Sequence, residues 1–88
     1  MEKIEKEIIV NNIHGLHARP AALFVQLANR YDSTVKIEKD REVVDAKSII
    51  AILSLGVNKG TKIRLIIEGP DANQAWEELK RFLEKENV

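Results

Sequence analysis

The stretch from Thr61 to Glu68, TKIRLIIE, constrains the fold more tightly than any other part of the chain. Read as a strand, it puts Ile63, Leu65 and Ile67 on one face. Lys62, Arg64 and Ile66 fall on the other. A strand that is apolar on one side only belongs to a sheet covered by helices on that side and open on the other. The remaining segments supply such a sheet and its cover. Ile4 to Val10 alternates in part, with Ile4, Ile8 and Val10 sharing a parity and Ile9 on the opposite face. Thr34 to Glu38 alternates with Val35 and Ile37 inward, and a polar turn at Lys39 to Glu42 leads to a short strand at Val43 and Val44, which predicts a hairpin.

Three segments carry helical spacing instead. Ala18 to Tyr31 places Ala21, Val25 and Ala28 on one stripe, with Phe24 and Leu27 beside it. Pro20 sits in its first turn, where a missing amide donor costs nothing. Asp32 and Ser33 end that helix. Ser48 caps a short helix from Ile49 to about Leu55, and Gly56 stops it; residue 51 is alanine, so the capping box is incomplete. Asp71 starts a last helix whose stripe is Ala72, Ala75, Trp76, Leu79 and Leu83, and Lys85 to Val88 are expected to fray.

The order is β-α-β-β-α-β-α. It predicts an α+β fold, a four-stranded antiparallel sheet covered on one face by three helices, with Ile9 and Ile66 on the open face. At 88 residues the chain is expected to form one domain, residues 1–88, too small to enclose a deep active site. Lys plus Arg and Asp plus Glu each number 14, so no global charge draws it to nucleic acid or to an anionic membrane. Phe24, Trp76 and Phe82 lie at helical positions and Tyr31 near a helix end; they read as core and rim, not as a base-stacking platform. There is no cysteine, which excludes disulfides, thiolate catalysis and zinc-thiolate sites. The charged beginning, MEKIEKEIIV, lacks the apolar core of a signal peptide, and no run approaches membrane-spanning length, so a cytoplasmic protein without membrane insertion is expected.

The chemistry-bearing residues cluster in HGLHARPAALF, residues 14–24. His17 stands at the mouth of the first helix, where free amides and the positive end of the helix dipole favour an anion and a neutral ring. A phosphoryl group on that ring would face those amides and Arg19, whose guanidinium offers paired donors to phosphate oxygens. From the residues alone, His17 is either a phosphohistidine site or a surface histidine that caps a helix. His14 precedes it by three positions with no acid to complete a metal set, and no metal or cofactor is expected. Pro20 stiffens the backbone behind His17, Gly15 suits the loop, and Asn12 is expected to brace the loop through bonds to its backbone. Ser48 is a helix cap and equally a hydroxyl open to a kinase. Ile49, Ile50 and Leu53 exceed what one buried face of a short helix needs and can form an apolar docking patch. GVNKGT, residues 56–61, has its lysine before the glycine and follows a helix, so it is not a nucleotide-binding phosphate loop.

Over nearly its whole length the chain resembles the histidine-containing phosphocarrier (HPr) family of the bacterial phosphoenolpyruvate-dependent sugar phosphotransferase system. GLHARPAA at residues 15–22 and AKSIIAILSLGVNKG at 46–60 carry the resemblance. It implies an open-faced β-sandwich and a carrier role rather than independent enzyme activity. The phosphoryl group comes from phosphoenolpyruvate through enzyme I and passes to sugar-specific enzyme IIA domains. By this resemblance His17 accepts the group on the ring nitrogen nearer the backbone, Arg19 assists transfer, and Ile49, Ile50 and Leu53 dock partners. Ser48 matches the serine that a kinase/phosphorylase modifies in Gram-positive and some other bacteria, slowing transfer and serving catabolite regulation through a catabolite-control regulator. A monomer with transient protein partners is the simplest expectation.

The chain departs from many relatives in its turn Lys39-Asp40-Arg41, where they carry an Asn-Gly-like pair, and in isoleucines where they dock through methionine. One related group serves a nitrogen-linked system; the AKSI context favours the sugar type. A catabolite-repression paralogue lacks the active histidine, and His17 speaks against it. A small protein-binding or RNA-binding αβ module is the alternative from a different class, disfavoured by neutral charge and the missing aromatic platform.

Overall fold

The one-sided strands turn their apolar faces to one side of a single sheet. In the computed structural model, which describes residues 2–88, the elements are β1 (Glu2–Ile9), α1 (Ala18–Ala28), β2 (Thr34–Lys39), β3 (Glu42–Asp45), α2 (Ile49–Leu55), β4 (Lys62–Gly69) and α3 (Ala72–Glu84). The four strands form one sheet in the order β1-β4-β2-β3, antiparallel throughout. Ile4 and Val35 both lie opposite Ile67, Ile8 lies opposite Ile63, and Ile37 lies opposite Leu65. All seven are buried beneath the helices, and burying each such side chain contributes about 1.5–3 kcal/mol. The other face stays open. There Arg64 stands between Glu7 and Glu38 in the register, and its Nε donates to Glu38 at 2.8 Å.

The helical stripes bury as predicted for the last helix and in part for the first. In α3, Ala72, Ala75, Trp76, Leu79 and Leu83 are buried, joined by Phe82. In α1 it is Pro20, Ala21, Phe24 and Ala28 that are buried, while Val25 and Leu27 are only partly covered. Lys6 explains why β1 alternates imperfectly. It shares the parity of Ile4 and Ile8, yet it remains exposed with its ammonium 5.3 Å from the ring centre of Trp76, a cation–π contact at the edge of the core.

Three boundaries differ from the sequence expectation for identifiable reasons. The first helix stops at Ala28, not Tyr31, because Arg30 and Tyr31 donate to the carbonyls three residues back, Leu27 and Ala28, tightening the end. The hairpin strands run one or two residues further than predicted, and Asp40 and Arg41, with φ of 51° and 69°, make its two-residue turn between paired Lys39 and Glu42. That geometry matches a type I′ turn built without glycine. The last four residues do not fray away from the fold. Lys85 and Glu86 offer carbonyls to Asn12 and Ile13, and Val88 packs against the core.

Candidate functional site

The loop between β1 and α1 is anchored at both of its sides before it reaches His17. On one side Asn12, fully buried, donates from Nδ2 to Phe82 O at 2.8 Å and Lys85 O at 2.7 Å. The expectation that it would brace its own loop's backbone is therefore corrected: the side chain is turned to the end of α3, where carbonyls lack intrahelical partners. Its Oδ1 is buried and unpaired among the described residues. On the other side Leu16 donates its amide to Val57 O at 2.9 Å. Gly15 makes that approach possible. Its φ is +60°, and a Cβ there would sit 2.3 Å from Val57 O and 2.7 Å from the Cα of Asn58.

His17 follows as the N-cap of α1, with extended backbone and a half-buried ring. It makes no capping bond from its side chain. Its Nε2 instead meets Asn58 Oδ1 at 2.8 Å. Ala18 then takes φ of +48°, a left-handed conformation unusual for a residue with a Cβ. The first turn of α1 carries no acidic residue, which leaves its positive end uncompensated. Arg19 in that turn is exposed and makes no ion pair with the described residues. Pro20 is buried behind it.

Asn58 is the site residue that the sequence reading missed. It lies in the GVNKG run, forty-one positions from His17, and no local pattern links the two. Its own backbone is clamped: its carbonyl accepts Thr61 N–H at 3.1 Å, and its amide donates to Thr61 Oγ1 at 3.2 Å. His14 is exposed, and no group of three metal-ligating side chains exists among the described residues.

The second cluster lies on α2, which packs beside α1. Ser48 caps it, its Oγ accepting Ala51 N–H at 3.3 Å. Gly56 at φ +69° closes the other end, where Lys39 Nζ donates to the carbonyls of Leu55 and Gly56. Ile52 and Leu55 face the core, leaving Ile50 at 70% and Leu53 at 40% exposure, with Ile49 half-buried. Ile13, 52% exposed on the histidine loop, is a further apolar side chain on the surface. No helix of the described residues is long and apolar enough to cross a membrane.

Comparison with known proteins agrees with this geometry. Residues 4–85 match the family described as PTS HPr component phosphorylation site. The chain is 52% identical to the HPr-like protein Crh of Halalkalibacterium halodurans, covering 94% of this chain and 99% of that one. It is 46% identical to the HPr-like protein Crh of Bacillus subtilis, over 94% of this chain and 98% of the other. Among solved structures, a phosphocarrier protein HPr from Bacillus anthracis superposes with a TM-score of 0.90 at 46% identity, covering 92% of this chain and 96% of that one. With the open-faced sheet, the histidine at a helix mouth and these matches together, the chain belongs to the HPr family, the phosphoryl carriers of the bacterial phosphoenolpyruvate-dependent phosphotransferase system.

Proposed function

We propose that His17 is the residue that carries the phosphoryl group, on Nδ1, the ring nitrogen nearer the backbone. The observation that supports this most directly is the ring's position: it stands at the acid-free mouth of α1, with its other nitrogen, Nε2, occupied by Asn58. Phosphorylated enzyme I is the donor and sugar-specific enzyme IIA domains are the acceptors. In accepting the group, the Nδ1 lone pair forms the new P–N bond as the bond between phosphorus and the donor breaks. Arg19, exposed and unpaired among the described residues, is free to take the phosphoryl oxygens as they arrive. Ile49, Ile50 and Leu53 form the surface on which both partners dock, close to the histidine because α2 packs beside α1. The carrier acts as a single unit in the cytoplasm.

Ser48 is read as a regulatory site for an HPr kinase/phosphorylase, with a catabolite-control regulator downstream. Its hydroxyl caps α2 at the edge of the docking patch. A phosphate there adds about −1.5 to −2 charges, and a partner closing over it would have to desolvate them. The identity to proteins named Crh gives a second reading, that of the catabolite-repression paralogue. The family resemblance assigns that paralogue no active histidine, and His17 counts against it.

The test is labelling from phosphoenolpyruvate with enzyme I. Wild-type protein should take one acid-labile phosphoryl group at His17, and His17→Ala should fold and take none. Full labelling of His17→Ala, or label on His14, would overturn the assignment.

A further inference from the structure

The contact between Asn58 and His17 does more than hold a ring in place. We propose that Asn58 is a positioning residue that keeps the proton of His17 on Nε2, both before and after phosphorylation. This rests on the reading of His17 as the phosphoryl acceptor. The amide oxygen of Asn58 faces Nε2 at 2.8 Å, and a carbonyl oxygen can only accept. The ring therefore carries its proton on Nε2 and its lone pair on Nδ1.

The consequences follow from the balance of the two transfer steps. On acceptance, Nδ1 supplies the electron pair of the new P–N bond, and no proton has to move. The phosphorylated ring is then formally an imidazolium, with its remaining proton on Nε2. Its bond to Asn58 becomes charge-assisted and so stronger than in the free ring. On donation, a nucleophile of the enzyme IIA acceptor forms its own bond to phosphorus as the Nδ1–P bond breaks, the electron pair of that bond returns to Nδ1, and the ring leaves as neutral imidazole. Had the Nε2 proton been lost first, an imidazolate anion would have to leave instead, which is far less favourable. By holding the proton, Asn58 keeps the carrier in its donating form.

The loop is built to keep this contact. The amide and carbonyl of Asn58 are both bonded to Thr61, while the neighbouring Val57 carbonyl receives Leu16 N–H at 2.9 Å. Gly60 donates to Val10 O at 2.7 Å, tying the same turn to the end of β1. The charged or titratable groups on the segments that meet at the ring are His14 on its own loop, Arg19 on α1, and Lys59 beside Asn58. Lys59 lies 3.7 Å from Glu86 of the C-terminal tail. Among the described residues none of them offers a second acceptor to Nε2, which leaves that role to Asn58.

The experiment uses the full chain labelled with nitrogen-15 in histidine, with Asn58→Leu, which removes the acceptor, and Asn58→Asp, which retains one. Long-range proton–nitrogen correlation reads which ring nitrogen of His17 carries the proton. Wild type and Asn58→Asp should show it on Nε2, and Asn58→Leu should show a mixture of tautomers. The phosphorylated forms are then assayed for transfer to an enzyme IIA domain across pH. Loss of a hydrogen bond to a charged group should move the alkaline limit of transfer in Asn58→Leu down by about one pH unit. A purely structural role would lower the melting temperature without moving that limit. A wild-type proton on Nδ1, or an Asn58→Leu protein with unchanged tautomer and unchanged pH limit, would overturn the proposal. A phosphoryl group found elsewhere than on His17 overturns the underlying reading and the role in transfer with it. In that case the tautomer of the unphosphorylated ring still decides whether Asn58 holds it.

Discussion

At the residue scale, the histidine loop depends on one position that touches no phosphate, Gly15. A side chain there meets the backbone of Val57 and Asn58 in a conformation that already disfavours a Cβ. Gly15→Ala should cost about 2–5 kcal/mol, the sum of left-handed strain and overpacking. It should also slow phosphoryl acceptance, since the only relief is to lift the loop off the Asn58 turn. Denaturant melts and transfer rates measured on the same preparation check both effects. Arg19 is the opposite case. It is exposed and carries no partner among the described residues, so Arg19→Ala should leave the melting temperature nearly unchanged. Transfer should lose about 2–4 kcal/mol of transition-state stabilisation, as for removal of a preorganised donor. A large loss of stability with a near-normal rate would reverse that assignment.

At the scale of elements, two junctions carry strain or charge that can be tested. The β2–β3 turn is left-handed at both Asp40 and Arg41. Arg41→Gly should therefore stabilise the protein by about 0.5–1 kcal/mol, the relief of left-handed strain outweighing the added chain entropy. The expected reading is a rise in melting temperature with transfer unaffected. The second junction is Asp71. It stands at the N-terminus of α3 but spends its carboxylate on the segment after α1, accepting the amides of Asp32 and Ser33, each at 2.9 Å, and the Ser33 hydroxyl. The Ser33 hydroxyl, foremost, and these amides hold its carboxyl below the usual carboxylate range. A carboxyl whose folded value is lowered stabilises the fold above its unfolded value, and that contribution fades as pH falls through the folded one. The melting-temperature gap between wild type and Asp71→Asn should thus be widest at neutral pH and close in acid. A gap independent of pH would mean that the ionisation of Asp71 contributes nothing to the junction. Nearby, Tyr31 shows the reverse sign. Burial and its bond to Glu78 at 2.6 Å push its phenol up to about 12, so it stays a donor throughout the neutral range.

At the scale of the whole molecule, the site is assembled from segments far apart in the chain. Asn12 binds carbonyls seventy and seventy-three residues away, and His17 meets a residue forty-one positions on. The histidine loop is therefore only as firm as the packing of α3 and the β4-side turn on either side of it. Asn12→Ala should lose about 2–3 kcal/mol, for two bonds whose carbonyl partners are then left unpaired in a covered site. Hydrogen exchange should rise at residues 11–16 and at 84–87 together, because each segment supplies the other's partners. Exchange confined to one of the two would break the argument.

Much of this molecule was legible in the residue order alone, because local physics decides it. Period-two alternation at Ile63, Leu65 and Ile67 requires a covered face, and the spacing of Ala72, Ala75, Trp76, Leu79 and Leu83 requires a buried helical stripe. Ser48 before an apolar run reads as a cap because its oxygen has a free amide within reach. His17 is legible because its ring falls at the mouth of α1, and the motif around it carries the family resemblance. Tertiary structure decided what depends on distant segments meeting. Strand order β1-β4-β2-β3 is one such result, since alternation names a face and not a neighbour. The tail from Lys85 to Val88 is held rather than frayed because Asn12 and Ile13 reach it across the fold. Asn58 is the clearest instance. An asparagine in a polar loop has no partner written in its sequence, and only the approach of the Gly15 backbone to the turn after α2 brings its oxygen to the histidine ring.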